Sequence, residues 1–359
     1  MENLLLTIPH LMQKQNFGGS NQGLLNGNTG MAIYLYHISR EMNNPEYEEM
    51  ADNLLDKIFA CITTSVPPDF ENGLAGIGWG IEYLVKNGFA KGDPDEILEE
   101  VDTKVYITLC NGNLNAFELT NGLTGYLLYL NSRLKNTANQ HSMVYSINKE
   151  LLILAVNKLD ELFAGQFSTI VKEPYFDLFW RFPLILHALT ETYNLNIYNR
   201  KIERMVKQWV MHLEAYIPSL HINRLFMALA LTQLNAIIPN RRIEKQIHIL
   251  LFATNFEEME TEFDPNHQGI RFGWPGAIWL LYMAKRYFSP QMPNYNLIVK
   301  THNEYVTRFK SKLDNEKHLS PDSVNLINPG ISDGITGIGL MVLMYPDVFC
   351  HEYSEITTC

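Results

Sequence analysis

Six carboxylates stand just ahead of glycine-rich or apolar stretches: Asp69, Glu71, Glu118, Asp177, Asp264 and Asp333. Two carboxyls facing each other across a cleft are the machinery of acid/base hydrolysis, and their separation sets the stereochemistry of glycan cleavage. Each also has a plainer use. A carboxylate at a helix start accepts hydrogen bonds from first-turn amides and faces the positive end of the helix dipole. Arg271 and His267 precede one of the same stretches. The guanidinium can hold a carboxylate through two parallel hydrogen bonds, and His267 is placed to face a central cavity. His187 lies inside an apolar stretch and reads as a hydrogen-bonded core histidine. The eleven histidines include no HxH or HxxxH pair, and Cys61, Cys110, Cys350 and Cys359 include no CxxC pair. No zinc-type ligand spacing is present, so no metal and no cofactor is assigned. Cys350-His351 are adjacent but follow the last apolar stretch and read as a tail pair. The chain contains no Asp-Asp, which removes the DDxxD and DxDD chemistries.

These residues sit on an internal repeat. A polar residue followed by Gly-x-x-Gly and a nearly uninterrupted apolar run occurs at Asn26-Gly27, Asn72-Gly73, Asn121-Gly122 and Asp333-Gly334, with a variant at Gly273-Trp274-Pro275-Gly276. Gly27, Gly73 and Gly122 are 46 and 49 residues apart, and Gly273 and Gly334 are 61 apart. The gap of 151 residues from Gly122 to Gly273 holds three such periods. Two glycine-less repeats are therefore expected inside it, at Phe176–Leu189 and Leu220–Leu234, bringing the count to seven. Between the apolar runs, Tyr47–Cys61, Asp95–Leu109, Asn148–Phe163, Lys201–Tyr216, Arg241–Ala253 and Leu297–Phe309 space apolar residues at i, i+3, i+4, i+7 with charges between them. Helices apolar all round are buried and helices with one charged face lie outside. The pattern predicts an all-α, double-layer α/α toroid of about seven inner and seven outer helices, one domain over residues 1–359. The last repeat is as apolar as the first, where an open solenoid would carry a polar cap, so the ring should close.

Lys plus Arg number 28 and Asp plus Glu 39, a formal net charge of −11. That balance argues against a nucleic-acid partner, whose phosphates are neutralised by basic side chains. No apolar run is long enough for a membrane-spanning helix, and the first residues lack the basic lead and long apolar core of a secretory signal. With scattered cysteines, a reducing, cytoplasmic location is the expectation. Gly76, Gly78 and Gly80 are no nucleotide fingerprint, because no strand precedes them. The Asn and Asp residues of the repeat are expected as N-caps, and the paired glycines as the means of packing helix starts closely. If several helix N-termini converge on one mouth, that mouth attracts anions.

On Asn26–Tyr36, Asn72–Leu84, Asn121–Leu130, Gly273–Tyr282 and Asp333–Leu343 the chain resembles the lanthionine synthetase C-like (LanC-like) family, the cyclases of lanthipeptide biosynthesis and their eukaryotic relatives. The resemblance implies an α/α toroid with its site in the central cavity. It also implies a zinc ion held by the Cys of a W-C-Y-G motif and the Cys-His of a C-H-G motif, which activates a substrate cysteine for addition to a dehydrated Ser or Thr. Neither motif is present. Arg271-Phe272 precede Gly273 and Ser332-Asp333 precede Gly334 where those ligands would stand.

Two functions follow. One is a LanC-like protein without the zinc site, binding a peptide or small, possibly anionic ligand in its cavity as an accessory to peptide modification. The other is a metal-free acid/base enzyme, for example on a glycan. Candidate ligand contacts are Arg271, Asp333, Trp274, Trp79, Asn72 and Asn121. Candidate catalytic groups are Asp333, Arg271, Glu118, Asp264 and His267. Because the sixth and seventh repeats should be ring neighbours, an Arg271–Asp333 ion pair is expected to take over part of the bridging that zinc performs in active relatives.

Overall fold

The computed structural model describes residues 2–14, 21–62, 66–112, 114, 116–137, 139–214, 216–264, 267, 269–315 and 330–350. Among them there are α-helices and 3-10 turns but no strand. The chain opens with α1 (Glu2–Lys14) and then alternates inner and outer helices. Inner α2 (Asn28–Met42) is followed by outer α3 (Pro45–Cys61), and inner α4 (Leu74–Lys86) by the one-turn α5 (Pro94–Ile97) and outer α6 (Glu99–Asn111). Inner α7 (Leu123–Asn136) precedes outer α8 (Met143–Val171), and inner α9 (Arg181–Asn194) precedes outer α10 (Asn199–Leu213). Inner α11 (His221–Ile237) with α12 (Arg241–Phe252), inner α13 (Trp274–Tyr287) with α14 (Tyr295–Asn315), and inner α15 (Ile335–Met344) complete the seven repeats.

The inner helices pack in ring order, α2 on α4, α4 on α7, α7 on α9, α9 on α11 and α11 on α13, and α15 closes back on α2. The chain is thus a closed α/α toroid. Both glycine-less repeats exist as inner helices, and all six amphipathic segments fall on outer ones. Inner helices bury residues around most of their circumference: α15 buries Ile335 through Met341 without a break. Outer helices bury one stripe, which on α3 is Tyr47, Ala51, Leu55 and Ile58. Each fully buried Leu or Ile in such a stripe contributes about 1.5–3 kcal/mol.

The seventh outer helix was expected by count, but no segment of the sequence was assigned to it. It is α1, which packs on α15, so the two ends of the chain form one repeat and lock the ring. Pro9 lies inside α1 and has no N–H to give to the carbonyl of Leu5 four residues back. The buried hydroxyl of Tyr34 on α2 donates to that carbonyl instead, at 2.7 Å. Gly339 on α15 leaves the space into which the ring of Tyr34 and the methyl end of Ile8 fit.

Candidate functional site

The repeat glycines build the start of each inner helix, and they do so through backbone. The N-caps are the first glycines, Gly27, Gly73, Gly122, Gly273 and Gly334, and none of these starts has a side-chain cap. The expected capping by Asn26, Asn72, Asn121 and Asp333 does not occur, because each stands one position too early. The loop folds back over the first turn instead. The first helical N–H donates to the carbonyl seven residues earlier: Asn28 to Asn21 at 3.0 Å, Leu74 to Pro67 at 2.8 Å and Leu123 to Ala116 at 3.0 Å. The second glycine makes this possible. A Cβ on Gly30, Gly76, Gly125, Gly276 or Gly337 would lie well inside van der Waals contact with the carbonyl oxygen six residues before it, on Leu24, Phe70, Leu119, Ile270 and Ile331 respectively. At α2, α4 and α7 these first-turn amides are occupied by the loop and are not free to bind an anion. The start of α11, which lacks glycines, is built differently: the Glu262 carboxylate accepts from the amides of His221 at 2.8 Å and Ile222 at 2.9 Å.

The loops are joined into a collar. The residue two before each first glycine donates its N–H to the carbonyl of the equivalent residue in the next repeat. Arg271 donates to Ser332 at 3.0 Å, Ser332 to Leu25 at 3.0 Å, Leu25 to Glu71 at 3.2 Å and Glu71 to Thr120 at 3.2 Å. Leu178, ahead of α9, donates to Arg271 at 3.0 Å and brings the fourth loop into the collar. Leu24, Leu25, Phe70, Leu119, Ile270 and Ile331 line the central cavity, whereas Arg271, Ser332, Glu71 and Thr120 do not.

A polar cluster therefore lies at the collar, off the cavity. Arg271 holds Asp177 through Nε and Nη2 at 2.9 and 3.0 Å and lies over the rings of Phe179 and Phe272. The expected Arg271–Asp333 ion pair is not formed. The two loops are neighbours, as the Arg271–Ser332 backbone bond shows, but Asp177 reaches Arg271 from the fourth repeat and satisfies its fork. Asp333 accepts from Asn26 Nδ2 at 2.9 Å and from Ser332 Oγ at 2.7 Å. Burial works against the charge on Arg271, yet Asp177, with Asp333 and Glu71 beyond it, holds its pKa above the ordinary value. Burial raises the carboxyl of Glu71, with Arg271 pulling the other way.

The remaining expected residues scatter. Asn72 accepts from Asn21 Nδ2 at 2.8 Å, and Asn121 is exposed beside Thr120. Glu118 faces Arg181 at 3.5 Å. Asp264 gives its carbonyl to the His267 N–H, and His267 Nδ1 accepts from the Gly269 N–H. Trp274 is buried between α13 and α14, edge-on to Phe263 and Tyr305, and not in the cavity. Only Trp79 lines the cavity, stacked on Tyr83. Among the described residues no facing carboxyl pair of the kind glycan hydrolysis requires lines the cavity: Glu191 is the one acidic residue among them there, and it pairs with Lys135 at 2.9 Å.

The cavity has a volume of about 520 Å³, in the range of small-molecule sites. Its deep wall is Leu24, Ile33, Phe70, Leu119, Leu128, Leu178, Ile270, Ile331 and Leu340, with Trp79 and Trp279. Its polar residues, Tyr83, Lys86, Asn131, Ser132, Lys135, Asn136, His187, Glu191 and Tyr345, come from the middle and final turns of inner helices or just past them. The polar mouth is thus at the helix ends, opposite the collar. Tyr83 also bonds His37 Nε2 at 2.6 Å. Burial lowers the pKa of His187, so it is neutral near pH 7. Sequence reasoning missed this mouth. The available signal was the presence of Lys86, Lys135 and Glu191 on helices otherwise apolar.

The thiolate and imidazole ligands that the family resemblance implies do not fit the collar. Their places hold a guanidinium that has no lone pair to offer, a phenyl ring, a hydroxyl and a carboxylate, each with partners of its own or apolar. Among the described residues no group of three or more His, Cys, Asp or Glu is arranged to hold a metal ion. Cys61, Cys110 and Cys350 are exposed and unpaired, and His351 and Cys359 lie outside the described residues. No described helix is long and apolar enough to cross a membrane. The family model described as lanthionine synthetase C-like protein matches residues 12–177, just under half of the chain. No curated protein matches the chain.

Proposed function

We propose, from the match of the lanthionine synthetase C-like family model over residues 12–177, that the chain is a member of that family without zinc cyclase chemistry that binds an apolar ligand in its central cavity, as an accessory to peptide modification. The carrying observation is the cavity itself, walled by apolar side chains at its deep end and polar only at one mouth. Enclosed apolar volume of this size, with a few polar groups to orient an occupant, is the usual form of a ligand site. The Arg271–Asp177 pair supports the loss of cyclase chemistry, since it fills the position of a metal ligand with a fixed ion pair. Three exposed, unpaired cysteines fit a reducing compartment such as the cytoplasm.

Native mass spectrometry of protein purified without detergent, together with metal analysis after tag removal, tests the reading. The expected result is co-purifying apolar ligand, or uptake of one on addition, and zinc far below one per chain. One tightly held zinc per chain, with cyclisation of a dehydrated Cys-containing peptide, overturns it.

A further inference from the structure

The geometry points to a single-chain amphiphile as the occupant of the central cavity: an acyl chain with an anionic head, entering tail-first through the mouth at the inner-helix ends. This rests on the cavity-binding reading and names its ligand class.

The depth of the cavity favours a chain. Its deep end is formed by collar residues such as Phe70, which precede the inner helices, and its mouth by Lys86, the last residue of α4, and Met344, the last of α15. α4 has 13 residues, so the distance between the two ends is roughly 20 Å at 1.5 Å per residue. Toward the deep end the wall is mostly aliphatic and phenyl side chains, with the indole N–H groups of Trp79 and Trp279 as its donors. A peptide threaded there would bury one N–H and one C=O per residue with few partners, which is strongly unfavourable. An acyl chain carries neither group and gains burial along its whole length. The collar hydrogen bonds tie the loops together at the deep end, so the polar end of an occupant belongs at the opposite mouth.

The charge at that mouth favours an anion. Lys135 is neutralised by Glu191 at 2.9 Å, and His187 is held neutral by burial. Lys86 is exposed and makes no ion pair among the described residues, which leaves one positive charge uncompensated beside the opening. The head would sit there in water, close to Lys86, with its tail among Leu128, Trp79 and Trp279.

Dodecanoate, dodecanol and dodecyltrimethylammonium share a tail and differ in head. Each is titrated below its micellar range, with calorimetry and the fluorescence of Trp79 and Trp279 as readouts. Dodecanoate should bind best, and Lys86→Glu should weaken it by about fivefold while leaving dodecanol unchanged. Leu128→Trp should abolish binding of all three by filling the cavity, with the circular dichroism of the fold retained. Equal binding of all three heads, insensitive to Lys86→Glu, would overturn the anionic-head assignment and leave the cavity reading standing. Binding of apolar peptides but of no alkyl probe would overturn the amphiphile class alone. Binding of no ligand of either kind would sink both.

Discussion

The two ends of the inner helices are built by opposite means. At the glycine-bearing starts the loops satisfy helix amides through backbone and are chained to one another by backbone bonds, to which side-chain pairs such as Arg271–Asp177 and Asn26–Asp333 are added. At their ends, side chains do the joining. Arg133 on α7, buried with Glu82 of α4, reaches Glu82 at 2.5 Å, Asp102 at 2.7 Å and Asp95 at 2.9 Å. Asn131 Nδ2 donates to the Ala188 carbonyl at 2.9 Å, and Thr192 donates to Asn131 Oδ1 at 3.0 Å. A backbone collar specifies a rigid frame and tolerates varied side chains pointing away from it. That is why side chains as different as Arg271, Phe272, Ser332 and Asp333 can stand on the collar loops while the ring persists. The opposite end is set by side-chain identity and leaves an opening.

The sharpest test of this contrast is Arg133→Leu. It strands the buried Glu82 and the partly buried Asp102 without their cation, and chemical denaturation should show a loss of about 3–5 kcal/mol. A cost near zero would mean that this end does not depend on its network. Gly276→Ala, at the other end, places a methyl against the Ile270 carbonyl and should cost about 3 kcal/mol. If Ala is tolerated there, the fold-back is not what requires glycine.

A pH titration separates the two ends next. Burial, with Arg40 nearby, lowers the His37 pKa from 6.5 to about 4. Between those values the unfolded chain binds a proton that the folded protein does not, so stability rises with pH across that window and is lost as pH falls through it. His37→Gln should flatten that part of the stability–pH curve, and an unchanged slope would place the titrating group elsewhere. The smallest effect is expected at Gly165, inside α8, where an added Cβ meets nothing within 4 Å. Gly165→Ala should be neutral or stabilise by up to about 1 kcal/mol, because no carbonyl opposes it and alanine restricts the unfolded chain. A loss as large as that at Gly276 would show that glycine matters here for another reason.

Much of the fold was legible in the sequence, because burial is periodic. The repeat spacing located five inner helices, division of the long gap located α9 and α11, and amphipathic spacing located six outer helices. The α1 helix escaped because Pro9 breaks its helix signature, and the carbonyl that Pro9 leaves without a partner is satisfied by a tyrosine on another repeat. The candidate site was far less legible. Trp79 was placed correctly on the cavity, but Trp274, equally aromatic and also near a helix start, belongs to the outer packing.

The sequence by itself determined the number of repeats, which helices are buried, and that no cysteine and no Cys-His pair stands at the glycine motifs, since residue type and period are local properties. Only the tertiary structure decided which partner each polar residue takes. Arg271 and Asp333 sit on neighbouring loops, yet Arg271 closes on Asp177, 94 residues earlier in the chain, and Asp333 closes on Asn26 across the ring seam. The nearest opposite charge to a loop side chain is set by how the ring brings distant loops together. Ring closure likewise decided that the polar mouth lies at the helix ends, where no motif marks it.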